Sequence, residues 1–307
     1  MQESTRNRLR LWLKSEQAMG LRSVGPAPWC QIQITRPTLA HAAQATASSR
    51  TSPPPTIQSV RAATPRSPAP PRPAPIEATV AAAAAPQAPG APLPGFTSAP
   101  LPLEERAACL AAIDQDEVRG CTRCPLCQTR KQTVFGEGDP GARLMFIGEG
   151  PGAKEDQTGR PFVGPAGELL TRMIGAMGLT RQGVYIANVV KCRAFLPGPP
   201  PKDRAPAAEE VAACASYLTR QLEIIRPAVI VTLGLPATQF VLQTRLSMSR
   251  LRGNWNLWHG IRVMPTWHPS YLLRREKDGD IEPKRQAWAD LQQVMTELGL
   301  TVAKKGE

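Results

Sequence analysis

The sequence predicts an α/β domain: a three-layer sandwich with a central, mainly parallel four-stranded sheet, preceded by a disordered Pro/Ala-rich N-terminal region. Three observations predict it. Four short apolar runs alternate with amphipathic helical patterns across residues 101–307, the order of βαβ units whose sheet is covered on both faces. The first hundred residues hold 17 of the 33 prolines, and Pro and Ala dominate from about Thr35 to Pro100. Glycines and polar residues follow the apolar runs, and parallel sheets bind ligands beyond the carboxyl ends of their strands.

The elements follow in chain order. Residues 4–19 read as a short helix with Leu9, Leu11, Trp12 and Leu13 as its apolar content and Gly20 as its stop. A helix this short is marginal in water, so it docks on something, either a protein partner or the domain itself. Residues 1–34 therefore read as a helical peptide and residues 35–100 as a linker, too poor in apolar β-branched and aromatic residues to offset chain entropy. The domain proper spans 101–307. A helix runs from Leu103 to about Asp116 and leads into the turn Cys121-Thr122-Arg123-Cys124. Strands are predicted at Arg143–Ile147, Val184–Val190, Ala228–Leu233 and Ile261–Pro265, and helices at Gly164–Met177, Ala207–Ile225, Pro236–Gln243 and Lys284–Leu298.

Charge and targeting signals narrow the function classes. The net charge of +12 divides into +7 for residues 1–100 (10 Lys and Arg against 3 Asp and Glu) and +5 for the remainder (27 against 22). Such a balance suits a polyanionic partner such as nucleic acid, or simply a solvated basic tail. No stretch approaches the roughly 20 apolar residues that cross a bilayer, so no membrane is expected. Residues 1–5 lack the apolar core of a secretory signal. Arg6, Arg8 and Arg10 suggest a transit peptide, but Glu3 and Glu16 argue against one. The expected location is the cytoplasm, where cysteines stay reduced and available as ligands.

Three segments after strands carry chemistry. The first strand runs into Gly148-Glu149-Gly150-Pro151-Gly152, then Lys154-Glu155-Asp156 and Gly159-Arg160-Pro161-Phe162-Val163-Gly164-Pro165-Ala166-Gly167. Glycines there let the backbone approach a ligand, although tight turns use them equally. The stretch is not a phosphate loop, because no Lys-Ser/Thr pair opens the helix. The second strand ends in Asn188-Val189-Val190-Lys191-Cys192, and the fourth in Thr266-Trp267-His268-Pro269-Ser270-Tyr271-Leu272-Leu273-Arg274. Taken singly, Asn188 reads as a turn former and His268 as a surface residue. Three candidates after three strands of one sheet point instead to a site.

Together these motifs resemble family 4 uracil-DNA glycosylases, in order and from about Gly120 to Leu298. The resemblance implies a uracil-DNA glycosylase-like fold and a base-excision repair enzyme acting on single- or double-stranded DNA. Such an enzyme flips deoxyuridine out of the stack and hydrolyses its N-glycosidic bond. It assigns Phe162 to stack on uracil, Asn188 to read its Watson–Crick edge and His268 to donate to O2 as charge builds on the leaving base. Gly150 and Ser270 join these three as uracil-contacting candidates. Glu149 and Glu155 join His268 as catalytic candidates, with Glu155 also implied to help exclude the 5-methyl of thymine. Gly150 stands where better-studied members of the wider superfamily carry a water-positioning Asp, so which of Glu149, Glu155 or Asp156 orients water stays open.

Seven cysteines occupy positions 30, 109, 121, 124, 127, 192 and 214. The C-x-x-C at 121–124 with two distant cysteines fits a zinc site or an iron–sulfur cluster, and spacing does not separate them. The resemblance implies a [4Fe–4S] cluster on Cys121, Cys124, Cys192 and Cys214, with Cys127 an alternative ligand. The Pro-rich segment 194–204 is longer than the usual family connection. Its Lys202 and Arg204 read as DNA-phosphate contacts or as solvated charges. Two other functions are compatible with parts of the chain: a relative that captures uracil covalently through a histidine-bearing loop, and a non-catalytic cluster-bearing DNA-binding subunit. Residues 194–204 contain no histidine, and the second alternative leaves Phe162, Asn188 and His268 without a purpose.

Overall fold

A computed structural model describes residues 99–301 of the chain. The helix expected at 4–19 and all but the last two residues of the linker lie outside the described residues.

Strands β2 (Leu144–Gly148), β3 (Tyr185–Asn188), β6 (Val229–Leu233) and β8 (Ile261–Thr266) form the parallel centre of the sheet. Two short antiparallel strands, β1 (Glu137–Gly138) and β7 (Asn256–Trp258), close its edges and give the order β1-β3-β2-β6-β8-β7. The four expected strands are therefore present, and the edges extend the sheet to six. β2 and β6 are buried along their whole length, which is why they read as unbroken apolar runs rather than as alternation.

The helices divide between the faces. Leu110 and Ile113 of α1 (Leu103–Ile113), Leu218 and Leu222 of α4 (Ala208–Ile225) and Val241 of α5 (Leu235–Leu242) pack with Met145, Ile147 and Ile230. On the other face, Leu170 and Ile174 of α3 (Pro165–Ala176) and Leu291 and Val294 of α8 (Glu282–Glu297) pack with Leu144, Phe146 and Val231. Successive residues of β2 thus feed opposite cores, each buried large side chain contributing about 1.5–3 kcal/mol.

Several elements exceed the sequence expectation. The first helix continues past Ile113 as a π-helical turn, Asp114–Val118. α2 (Ala153–Thr158) follows β2, α6 (Met248–Leu251) precedes β7, and α7 (Pro269–Lys277) begins within the His268 motif. Segment 194–204 is not irregular but folds back as a hairpin of β4 (Phe195–Leu196) and β5 (Lys202–Asp203). Register places Gly148 beside Asn188 and Leu233 beside Thr266, so the segments after the strands leave from one end of the sheet. Among the described residues no helix is long and apolar enough to cross a membrane.

Candidate active site

At that end of the sheet a cavity of about 360 Å³ is lined by Glu149, Gly150, Glu155, Phe162, Asn188, His268 and Ser270 together with Lys154 and Asp203. All seven non-cysteine site candidates meet there. Residues 120 positions apart in sequence share one wall because three parallel strands end together.

Phe162 holds a backbone shape that its side chain disfavours. Its φ is +51°, a left-handed conformation that costs a non-glycine residue of order 1–3 kcal/mol. The surrounding turn is held from both sides. Glu155, in the first turn of α2, accepts the backbone N–H groups of Val163 and Gly164 through Oε1, each at 2.8 Å. Arg181 donates to the carbonyls of Pro161 (2.7 Å) and Phe162 (3.0 Å) and pairs with Glu137 of β1 at 2.5 Å. Gly167 permits the turn to lie on α3, since a Cβ there would stand 1.9 Å from the Phe162 carbonyl oxygen. Gly148 is equally constrained: its Cβ would fall 2.5 Å from both Asn188 Oδ1 and the Phe162 ring.

Asn188 ends β3 with 1% exposure, and its Oδ1 is buried without a hydrogen-bond partner. An orphaned acceptor of this kind costs about 1–3 kcal/mol, which a ligand donor recovers. His268 caps α7. Its Nδ1 accepts the Ser270 backbone N–H at 3.1 Å and lies 2.8 Å from Ser270 Oγ. With Nδ1 occupied as an acceptor, the imidazole proton resides on Nε2. Burial, reinforced by the nearby Arg274 charge, pulls the His268 pKa down to about 4, against a smaller opposing effect from Glu155. The ring is therefore a neutral donor at physiological pH. It stands beside the Phe162 ring, with centroids 5.8 Å apart. The preceding turn is fixed from α8, where Asp290 accepts from Thr266 Oγ1 (2.7 Å) and Gln286 accepts from Trp267 Nε1 (2.8 Å).

The carboxylates differ. Burial raises the pKa of Glu149, which lines the cavity. Gly150 has no room for a longer side chain without movement, its Cβ lying 2.8 Å from Val190 Cγ2. At the rim, Arg204 is engaged bidentately by Glu210 at 2.6 and 2.8 Å, whereas Lys202 is exposed.

Cys121, Cys124, Cys192 and Cys214 line another, small cavity with Arg130, Lys191 and Tyr217. Arg130 donates to Cys192 Sγ at 3.3 Å, and the Lys191 backbone N–H donates to Cys214 Sγ at 3.2 Å. Burial pushes the thiol pKa of Cys124 up to about 11 and of Cys192 to about 12. Sulfurs in this setting lose their protons to a cation rather than to water. Among the described residues, no three His, Cys, Asp or Glu side chains close into a metal-binding arrangement. The donor set nevertheless fits a thiolate-ligated centre: four sulfurs face one space and two N–H groups point at them. Cys127 does not line that cavity, Cys109 is buried in the core near Arg220, and Cys30 lies outside the described residues.

Lys191 is the residue that composition least anticipates. It is 1% exposed, and its ammonium donates to the Asn188 carbonyl (2.8 Å) and to Gln221 Oε1 (2.6 Å). One residue thus bonds a cavity cysteine through its backbone and the end of β3 through its side chain. It stood within the motif Asn188–Cys192, but nothing in the spacing marked it as buried. Arg181 and Glu137 were missed for a different reason, since neither belongs to a motif.

Comparison with known proteins gives the same reading. The Uracil DNA glycosylase superfamily model matches residues 135–292. A type-4 uracil-DNA glycosylase of Thermotoga maritima is 48% identical over 171 residues, covering 55% of this chain and 86% of that protein. One from Saccharolobus solfataricus is 47% identical over 167 residues, covering 52% and 74%. A type-5 uracil-DNA glycosylase of Pyrobaculum aerophilum is more distant, at 32% identity over 185 residues, covering 50% and 79%. The motifs around Phe162, Asn188 and His268, the sheet that gathers them and these similarities make the chain a member of the uracil-DNA glycosylase superfamily, in its type-4 family.

Proposed function

We propose that the protein is a DNA repair glycosylase that accepts a flipped deoxyuridine, breaks its N-glycosidic bond and leaves an abasic site. The single observation that carries the pocket assignment is the orphaned Oδ1 of Asn188, buried in the same cavity as a neutral His268. Uracil meets that amide with complementary chemistry: N3–H donates to Oδ1, and O4 accepts from Nδ2. With the amide in this orientation, cytosine presents an N3 lone pair and an amino group instead, and both contacts become repulsive. Phe162 offers the flat face on which the base stacks.

In the reaction the C1′–N1 bond breaks and its electron pair stays on uracil. The Nε2–H of His268 donates to O2 as that charge develops, a preorganised contact that typically contributes a few kcal/mol. Water adds to C1′ and releases a proton, and the departing uracil regains one at N1. Glu155 shapes the pocket through the Val163 and Gly164 amides, and one of its oxygens remains to face Gly152. Glu149 is the lining carboxylate assigned to orient water, since Gly150 offers no side chain, Asp203 pairs with Arg193 at 2.6 Å and Asp156 accepts the Lys131 amide at 2.9 Å.

A [4Fe–4S] cluster on Cys121, Cys124, Cys192 and Cys214 would supply structural cross-linking. Those residues would pin the 121–124 turn and the start of the β4–β5 hairpin to α4, with no part in bond cleavage. Exposed Lys154 at the cavity and Lys202 on β5 suit the phosphates of single- or double-stranded DNA.

Incubation with uracil-containing single- and double-stranded DNA tests the reading. Free uracil and an alkali-labile abasic site are expected without added divalent metal. A protein–DNA adduct that survives denaturation would replace turnover with covalent capture.

A further inference from the structure

We infer that Arg181, anchored by Glu137, is the positioning residue that keeps Phe162 in its base-stacking pose; the inference rests on the uracil pocket proposed above. Phe162 has a left-handed backbone (φ +51°), and such a residue needs its neighbours to hold it. Arg181 leaves a short 3-10 turn, Arg181–Gly183, and its side chain is only 12% exposed. Its Nη1 donates to the Phe162 carbonyl at 3.0 Å and to Thr171 Oγ1 at 3.2 Å, and its Nη2 to the Pro161 carbonyl at 2.7 Å. Nε and Nη2 together meet Glu137 Oε1 at 3.0 and 2.5 Å. One planar cation therefore holds two successive carbonyls of the turn while an edge-strand carboxylate fixes its own orientation. A lysine, with a single nitrogen, cannot reproduce that fork.

The opposite side of the turn is held by the opposite charge, since Glu155 accepts the two amides that follow Phe162. Cation on the carbonyls and anion on the amides together define the orientation of the peptide planes, and with it the direction of the ring. Arg181 does not line the cavity, so any effect on uracil must pass through Phe162.

The test is a double-mutant cycle with Arg181→Met and Phe162→Ala, read by KM, kcat and inhibition by free uracil. Arg181→Met is expected to raise KM and weaken uracil inhibition on the order of tenfold, the size of a coupling between contacting residues. Its effect on kcat should be smaller, because His268 is untouched. In the Phe162→Ala background the same change should add less than about twofold. Arg181→Lys should resemble Arg181→Met, since charge alone does not restore the fork. Losses that multiply in the double variant, or unaltered uracil inhibition in Arg181→Met, would overturn the assignment. Should Arg181→Met not fold, Glu137→Gln gives the same cycle with a smaller expected loss, and multiplying losses there overturn it equally. Wild-type protein that releases no uracil would instead defeat the pocket reading itself.

Discussion

Two cavities of this domain are built on opposite plans. The wall around Phe162, Asn188 and His268 is held by backbone hydrogen bonds that the protein supplies unaided. Glu155 takes two amides, Arg181 two carbonyls, and Ser270 fixes the imidazole. Among the described side chains of that wall, the buried atom without a hydrogen-bond partner is the acceptor of Asn188. The cysteine cavity is the reverse: its sulfurs share a space but do not close into a ligating arrangement among the described residues. The pocket is preorganised, whereas the cysteine site would be completed only by the metal centre proposed for it. A substitution in the first should therefore alter rate and selectivity, and one in the second should alter whether the protein holds together.

The sharpest way to break that contrast is at the sulfurs. Cys192→Ala or Cys214→Ala should abolish iron binding and the broad absorbance near 400 nm of an anaerobically purified sample, and should lower the soluble yield. Cys109→Ala and Cys127→Ala should retain the colour. Stoichiometric zinc without iron in wild-type protein, by metal analysis, would reassign the centre.

Next in size is His268→Ala, expected to slow uracil release by roughly 10²–10³. Affinity for uracil-DNA should change far less, because phosphate contacts dominate it. Gel-shift titration beside single-turnover kinetics separates the two, and equal losses in both would mean the residue only supports the fold.

The smallest effect is a pH profile. Because the His268 pKa lies near 4 rather than its ordinary 6.5, uracil release should not fall between pH 8 and 5.5 on account of this residue. A titration centred near 6.5 in the rate would contradict the neutral donor. The stability consequence has a definite sign. The folded state resists protonation, so this group's contribution is complete above pH 6.5 and is lost as pH falls toward 4. A thermal melt across that window should show Tm declining with acid, and His268→Ala should flatten part of the decline.

Much of the molecule was legible before its structure. β2 and β6 are unbroken apolar runs, as fully buried parallel strands must be. Phe162, Asn188, His268, Cys121, Cys124 and Cys192 stood in motifs that survive any shift of element boundaries, whereas Cys214 stood in none and was singled out only through the family resemblance. β1 and β7 were invisible because two or three residues cannot display a period. α7 was hidden by the very motif that contains it, with Pro269 at its first turn and the cap supplied by His268. Arg181 and Glu137 lie 44 residues apart, in a turn and an edge strand where charged residues are ordinary. Lys191 defied the usual expectation that lysines face water. Its burial depends on acceptors from β3 and α4 that only the folded chain brings together.

The unequal edges of the sheet bear on how the protein behaves when crowded. Any open sheet edge is a template on which another chain can add a strand. At one end the template is two residues long, and it carries a carboxylate already committed to Arg181 and Arg160. A neighbouring molecule finds almost no ladder there. At the other end β7 presents three residues, with Leu257 67% exposed and Trp258 beside it. Among the described residues β7 is therefore the edge that combines a short ladder with exposed apolar surface. A lysine in place of Leu257 is the change that would protect a concentrated stock without touching either cavity.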